Sequence, residues 1–392
     1  MIDEGRAADR TPSAAVEPLF SGRKRVRARY DFTGSTPLAG SFPYEQWLSI
    51  TRNVLESRSD ARLLAPAPAQ GMVEVRRAIA GHLREHRGML VSADQVVIGA
   101  GAQSLYSIIA RLLGRDGSMA LEDPGYGRLE KIYRFEGIET VRVRIDEEGM
   151  IPRELERSGA RMIHVLPSHQ VPTGLVTSLQ RRYDLLAWAA ADARRYIVED
   201  DYESEFVHEG RAVSAMRALD ATERVIYVNT FSRTIAPGVR AGYLVLPPHL
   251  AVRFAAELGF HSNSVPNLEQ LVLAEFIGSG EFARHVARMR RKYRATLEAA
   301  LSTLERMGLS SGVRGCQTGL HFTLDLPSDL ARTVRETHRE RGCAVRFLDS
   351  YWSRGTQGSS TLVIGYAGMS PDEVPEALGV LLAPGLRSRE GL

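Results

Sequence analysis

The sequence predicts an α/β protein, a large unit with a mainly parallel central sheet joined to a smaller α+β unit. Three observations carry this. Between residues 96 and 246, short apolar runs of strand length alternate with longer amphipathic stretches, the pattern of strands linked by helices. After Glu281 the pattern changes to one long arginine-rich helical stretch followed by short strand-like pieces. A chain of 392 residues, 44% of them hydrophobic, can bury a substantial core divided into two or three domain-sized units.

Taken in chain order, residues 1–25 are polar, charged and aperiodic, and are expected to form a flexible N-terminal segment. Buried strands are expected at 96–99, 118–121, 141–145, 162–166, 196–198, 225–228 and 243–246, because each is a short apolar run bounded by turn residues. Helices are expected at 103–113 and 179–193 from their amphipathic spacing. In the tail, 281–307 has helical periodicity, 321–324 and 361–364 read as strands, and 372–382 reads as a helix. The resulting division is 66–264 for the large unit, with 26–65 and 265–392 forming the small one from both ends of the chain.

Composition excludes several classes. A net charge of +3 is small for this length, and the basic run from Arg23 to Arg29 lacks a compact nucleic-acid-reading pattern, so it reads as a solvated face and no nucleic-acid partner is expected. No apolar run long enough to cross a membrane, no signal peptide and no lipidation motif is present, which predicts no membrane partner. Cys316 and Cys343 lack metal-ligand spacing, and together with the absence of a histidine cluster they predict no metal site and a reduced, cytoplasmic setting.

Five segments can carry chemistry. Gly99-Ala100-Gly101-Ala102-Gln103 is a small-residue turn between a strand and a helix, where free backbone N–H groups and the positive helix end suit a phosphate. Glu122-Asp123-Pro124-Gly125-Tyr126-Gly127-Arg128 brings an aromatic ring and a guanidinium to a strand's C-terminal end, where open α/β sheets bind ligands; taken alone it reads first as a Pro-Gly turn. Pro167-Ser168-His169-Gln170-Val171-Pro172-Thr173-Gly174 follows another strand. Glu199-Asp200-Asp201-Tyr202-Glu203-Ser204-Glu205-Phe206 clusters carboxylates at the end of a buried strand, a costly placement unless each is paired, hydrogen-bonded or bound to a cation. Thr230-Phe231-Ser232-Arg233-Thr234-Ile235-Ala236-Pro237-Gly238-Val239-Arg240 adds two hydroxyls and a guanidinium suited to a phosphate. His169 and His321 are candidate acid/base groups, or structural histidines.

In this order the segments resemble the aminotransferase-like domain of MocR/GabR-type proteins, members of the fold-type I superfamily that uses pyridoxal 5′-phosphate (PLP). The likeness covers about residues 30–385. It implies the fold-type I aminotransferase architecture, a homodimer and a small amino-acid-like substrate. It makes Tyr126 the aromatic that stacks on the pyridine ring, Asp200 the carboxylate facing the ring nitrogen, and Tyr202 the partner of the ring hydroxyl. Gly101, Ala102, Gln103, Thr230, Ser232 and Arg240 form the phosphate cup, with Arg128 near the substrate. Such proteins carry a winged-helix domain in front; this chain begins near the end of the usual linker, so direct gene regulation is not expected of it.

Two departures stand on the reacting side. Arg233 takes the position of the lysine that forms the Schiff base, and a guanidinium is a very poor nucleophile. Pro66 stands where a tyrosine usually reaches the partner subunit's cofactor phosphate. An arginine for a substrate carboxylate is not evident in Leu362-Val363-Ile364-Gly365-Tyr366, and Arg346 and Arg354 are the nearby alternatives. Because the chain has 47 arginines and only three lysines, compositional drift is a second explanation for Arg233. Two readings follow. One is an enzyme with a recoded centre, holding PLP or pyridoxamine 5′-phosphate (PMP) non-covalently or working without cofactor, with Arg233, Tyr126, Arg128 and Tyr202 as its catalytic set. The other is a non-catalytic ligand-binding protein.

Overall fold

The computed structural model describes residues 28–34, 38–114, 117–210, 213–353 and 358–387; the 1–25 segment, most of the basic run and Arg354 lie outside these. The strands are β1 (Tyr30–Asp31), β2 (Val96–Gly99), β3 (Met119–Asp123), β4 (Thr140–Asp146), β5 (Gly149–Met150), β6 (Met162–Val165), β7 (Tyr196–Asp200), β8 (Val225–Thr230), β9 (Gly242–Val245), β10 (Val313–Arg314), β11 (His321–Asp325), β12 (Cys343–Ala344), β13 (Arg346–Phe347) and β14 (Thr361–Gly365). The large sheet has the order β2-β9-β8-β7-β6-β3-β4-β5. From β8 through β7, β6 and β3 to β4 every pairing is parallel, while β9 runs against both its neighbours. This is the fold-type I aminotransferase architecture.

Each of the seven strands read from the sequence for this sheet is present. They are apolar on both faces because helices cover both faces. Successive residues of β7 show it: Val198 packs with Leu105 and Ile109 of helix Ala102–Leu113, and Ile197 with Leu185 and Trp188 of helix Leu179–Ala190. The strands β3, β7 and β8 run further than the apolar runs alone indicate, ending at Asp123, Asp200 and Thr230. Backbone pairing carries polar residues to the C-terminal end of each strand; β7 and β8 are neighbours, and β3 lies beyond β6 in the same parallel run.

The smaller sheet, β10-β11-β14-β13, is antiparallel, and β1 pairs with β12 beside it. Tyr30 and Phe32 share one core with residues from Met289 to Leu382, so the start and end of the described chain meet. Helices Tyr44–Ser57 and Asn267–Gly278, which the sequence assigns to the small unit, instead lay Ile50, Val54, Leu271 and Phe276 on the large-sheet core with Val75 and Ile98. The helix Glu281–Arg306 joins the two bodies. Over about 39 Å it gives Phe282 and Val286 to one core and Tyr293 and Leu297 to the other.

Candidate functional site

A cavity of about 310 Å³ lies between the C-terminal ends of the parallel strands and the small sheet. Ala102, Gln103, Tyr126, Arg128, Asp200, Tyr202, Thr230, Ser232, Arg233 and Arg240 all line it, drawn from four separate sequence segments. Gly101 is the residue before the helix that Ala102 opens, and no side chain caps that helix end. Its φ is +82°, and a Cβ there would come 2.8 Å from Arg240 Nη2, so only glycine lets the guanidinium lie against the turn. Arg240 Nη2 donates to Ala100 O at 3.0 Å. First-turn N–H groups, two hydroxyls and a guanidinium therefore gather at one end of the cavity, an anion-binding arrangement.

At the floor, Asp200 is 4% exposed. Tyr106 donates to its Oδ2, as does His164 Nε2 at 3.3 Å, while Tyr133 donates to His164 Nδ1 at 2.8 Å. Both direct donors to Asp200 serve the same oxygen. Oδ1 is buried with no hydrogen-bond partner, which leaves a carboxylate oxygen free for an added N–H. Tyr202 reaches the cavity and donates its hydroxyl proton to His169 O at 2.9 Å.

Arg233, which also lines the cavity, is held by the protein itself. Its Nε is 3.2 Å from Glu203 Oε1, and its Nη1 donates to Gly34 O at 2.6 Å. Glu203 Oε2 accepts from Leu320 N at 2.9 Å. Burial raises the Glu203 carboxyl above its ordinary value, and the Arg233 guanidinium opposes that shift. His169 and His321 stand beside this pair, with His169 Nε2 2.9 Å from His321 Nδ1. Both rings are pushed down chiefly by burial, His321 to about 4.

Besides Asp200, the other four carboxylates of the 199–205 cluster each have partners. Glu199 accepts from the backbone N–H groups of Met216 and Arg217, Asp201 pairs with Arg87 and Tyr227, Glu203 with Arg233, and Glu205 with Asn229. The sequence offered no metal-ligand spacing, yet the fold brings ligand atoms of His169, Glu203 and His321 within 4.8 Å of one another. Both Glu203 oxygens already serve Arg233 and Leu320, and a guanidinium at that distance opposes a cation.

Residues 39–381 match the family described as aminotransferase class I and II. The chain belongs to this family. It is 30% identical over 97% of its length to an uncharacterised HTH-type transcriptional regulator, YdeL, of Bacillus subtilis, covering 82% of that protein. It is 35% identical to the HTH-type pyridoxine biosynthesis transcriptional regulator PdxR of Corynebacterium glutamicum, over 78% of this chain and 66% of that one. Its fold superposes on a kynurenine aminotransferase from Pyrococcus horikoshii, crystallised with PMP, with a TM-score of 0.79 at 22% identity, covering 97% and 96% of the two chains.

Within this aminotransferase-family cavity, sequence reasoning overlooked Tyr106, His164, Gly34 and the particular role of Glu203. Tyr106 had a readable signal, because it stands one helical turn beyond Ala102 on the same face. Gly34 had none, being 199 residues from Arg233. Of the alternatives for a carboxylate-binding arginine, Arg346 lines the cavity and Arg354 is outside the described residues. Pro66 is exposed and does not line this cavity. Among the described residues no helix is long and apolar enough to cross a membrane.

Proposed function

We propose that this chain is an aminotransferase-family protein with a recoded centre, holding PLP or PMP without a covalent anchor and acting on an amino-acid-like substrate in a cytoplasmic biosynthetic pathway. The observation that carries this is the unpartnered, buried Oδ1 of Asp200 at the floor of a cavity with an anion cup at one end. The cup would take the phosphate on the first-turn N–H groups from Gly101 to Gln103, the Thr230 and Ser232 hydroxyls and Arg240. Asp200 would accept from the ring nitrogen, Tyr126 would cover the ring face, and Tyr202 would meet the ring hydroxyl. When bound, such a cofactor supplies an electron sink for breaking bonds at an amine-bearing carbon. Arg233 offers no unprotonated amine at that centre; it orders Glu203 and Gly34 and presents a guanidinium to a ligand carboxylate. Arg128 and Arg346 add further positive charge to the cavity wall.

The commitment of Arg233 to Glu203 and Gly34 also favours a second reading, a ligand-binding protein without turnover. Absorption spectra of the protein with PLP, before and after a panel of amino acids, separate the two. A bound spectrum that changes with one amine and yields product supports the enzyme; a bound spectrum with no turnover supports the binding protein. The Arg233→Lys variant should gain the absorption of a covalent adduct, and no PLP binding by either protein would refute the cofactor assignment.

We also propose a homodimer. Tyr44, Leu48 and Leu55 form an apolar stripe on one exposed helix face at 70%, 62% and 50% exposure, and Leu64 is 79% exposed nearby. Sedimentation velocity reads the assembly directly, and a monomer at micromolar concentration would refute it.

A further inference from the structure

A second, larger cavity of about 790 Å³ lies between the two bodies. Its volume falls within the ~300–1,000 Å³ of small-molecule sites. The small sheet forms one of its walls. Along β11, Phe322 and Leu324 are fully buried in the small core, so His321, Thr323 and Asp325 present their side chains on the other face. The antiparallel register sets Gly365, Val363 and Thr361 of β14 opposite them. The two cavities divide this face: His321, Val363 and Gly365 line the first, whereas Thr323, Asp325 and Thr361 line the second. Two pinned segments stand between them. Ser353 N and Oγ donate to Asp123 Oδ1 and Oδ2 at 2.9 and 2.7 Å, and Gly125 N donates to Tyr351 O at 3.1 Å. From these segments Tyr126 and Tyr351 line the first cavity, and Pro124 and Trp352 the second.

The charged groups of the second cavity are unevenly committed. Arg87 pairs with Asp201 at 2.6 Å, Arg182 donates to the carbonyls of Thr177, Ser214 and Pro167, and Arg314 donates to those of Ser311 and Val313. The arginines are thus occupied. Among the acids Asp146 pairs with Arg181. Asp325, by contrast, accepts from the Thr361 hydroxyl at 2.6 Å and has no ion pair among the described residues. Thr323 is 6% exposed, and its hydroxyl has no hydrogen-bond partner among the described residues. That hydroxyl is not sealed in the core; it opens on the cavity, the one side from which a partner can come. Ile145, Leu175, Val207, Leu348 and Trp352 give the cavity apolar walls.

We propose that this second cavity binds a small hydrophobic amine, its ammonium held by the Asp325 carboxylate and the Thr323 hydroxyl and its apolar body lying against Trp352 and Leu348. Residues two apart on a strand face stand about 7 Å from one another, so one ammonium fits between the two side chains. An ammonium has three protons to donate, a hydroxyl oxygen can accept one, and a carboxylate without a neighbouring cation is completed by another. An anionic ligand has no equivalent place, because the arginines lining the cavity already serve acceptors of the protein. The site stands whether or not the first cavity takes PLP.

The test is calorimetric titration of the full chain with 2-phenylethylamine, tryptamine and isopentylamine, with 3-phenylpropanoate as the anionic counterpart. At least one amine should bind with a dissociation constant of about 1 mM or lower, roughly tenfold tighter than the anion. Thr323→Val keeps the β-branched shape and Asp325→Asn keeps an acceptor for Thr361, so both should melt like the wild type. Each should weaken the amine about fivefold, the scale of one hydrogen bond or one exposed charged contact. Isopentylamine, which has no fluorescence of its own, should shift the tryptophan emission of the wild type and leave that of Trp352→Phe unmoved. No binding by any of the three amines at about 10 mM overturns the proposal. So does equal affinity for the anion, an amine affinity unchanged in both polar variants, or an emission shift that persists in Trp352→Phe.

Discussion

The two ends of the cavity are built on opposite principles. Around Gly101, Thr230, Ser232, Arg240 and Asp200 the protein leaves polar capacity unused: an uncapped helix start, two hydroxyls and a buried carboxylate oxygen without a partner. Around Arg233 the polar groups satisfy one another, Arg233 with Glu203 and Gly34, Glu203 with Leu320, His169 with Thr318 and His321. The first end is arranged for a guest and the second mainly for itself. In physical terms, exchanging a lysine for an arginine changes more than one amine. It adds a planar donor set that recruits a buried carboxylate and the Phe32–Gly34 segment, so the reacting side becomes part of the protein's own hydrogen-bonding framework.

The largest effect is expected at the open end. Asp200→Ala removes the carboxylate whose free oxygen awaits a donor, and a charge-assisted hydrogen bond there is worth about 1.5–3 kcal/mol. PMP binding measured by equilibrium dialysis should weaken about a hundredfold. Unchanged affinity would break the comparison, since the orphaned oxygen would then be a cost of the fold and not a binding group.

The open end was the more legible in sequence, and the reason is locality. Gly101 to Gln103 form one strand-to-helix turn, Thr230 ends one strand with Ser232 just beyond it, and Asp200 closes another, so each signal lies within a few residues. The arginine end depends on distant pairings, Arg233 with Gly34 across 199 residues and His169 with His321 across 152. The sequence placed a buried carboxylate cluster at 199–205 and required partners for it, but strand alternation alone does not tell which carboxylate meets which arginine. The sheet was legible for a similar reason, as its strands are continuous apolar runs. The two-residue strands of the small unit were not, because two residues carry no period.

Arg233→Ala sharpens the contrast by testing whether the arginine end is structural. Removing one partner of a buried pair leaves the other uncompensated. Since the Arg233 side chain is 34% exposed, the loss of stability is on the order of 2 kcal/mol, below the fully buried case. Its pH dependence has a definite sign. The Glu203 carboxyl is already raised by burial, so it favours the folded state while protonated, and that contribution declines as pH rises through its folded value. Without the opposing guanidinium the value moves further up. The stability gap between wild type and Arg233→Ala, read from urea unfolding, should therefore widen from pH 5 to pH 8. A constant gap would mean that Arg233 does not hold Glu203 ionised.

The smallest of the three effects is expected at Arg240. The guanidinium is one of several groups at the phosphate end, and its Nη2 also serves Ala100 O, so the helix N–H groups and hydroxyls remain when it is removed. Arg240→Ala should weaken PMP binding about tenfold, one charge-assisted contact. Gly101→Ala provides the control: its Cβ would press on Arg240 Nη2 from a backbone at φ +82°, displacing the guanidinium without deleting it. A loss of PMP affinity in both variants would assign the Arg240 guanidinium to phosphate binding, and unchanged affinity in both would remove it from that role.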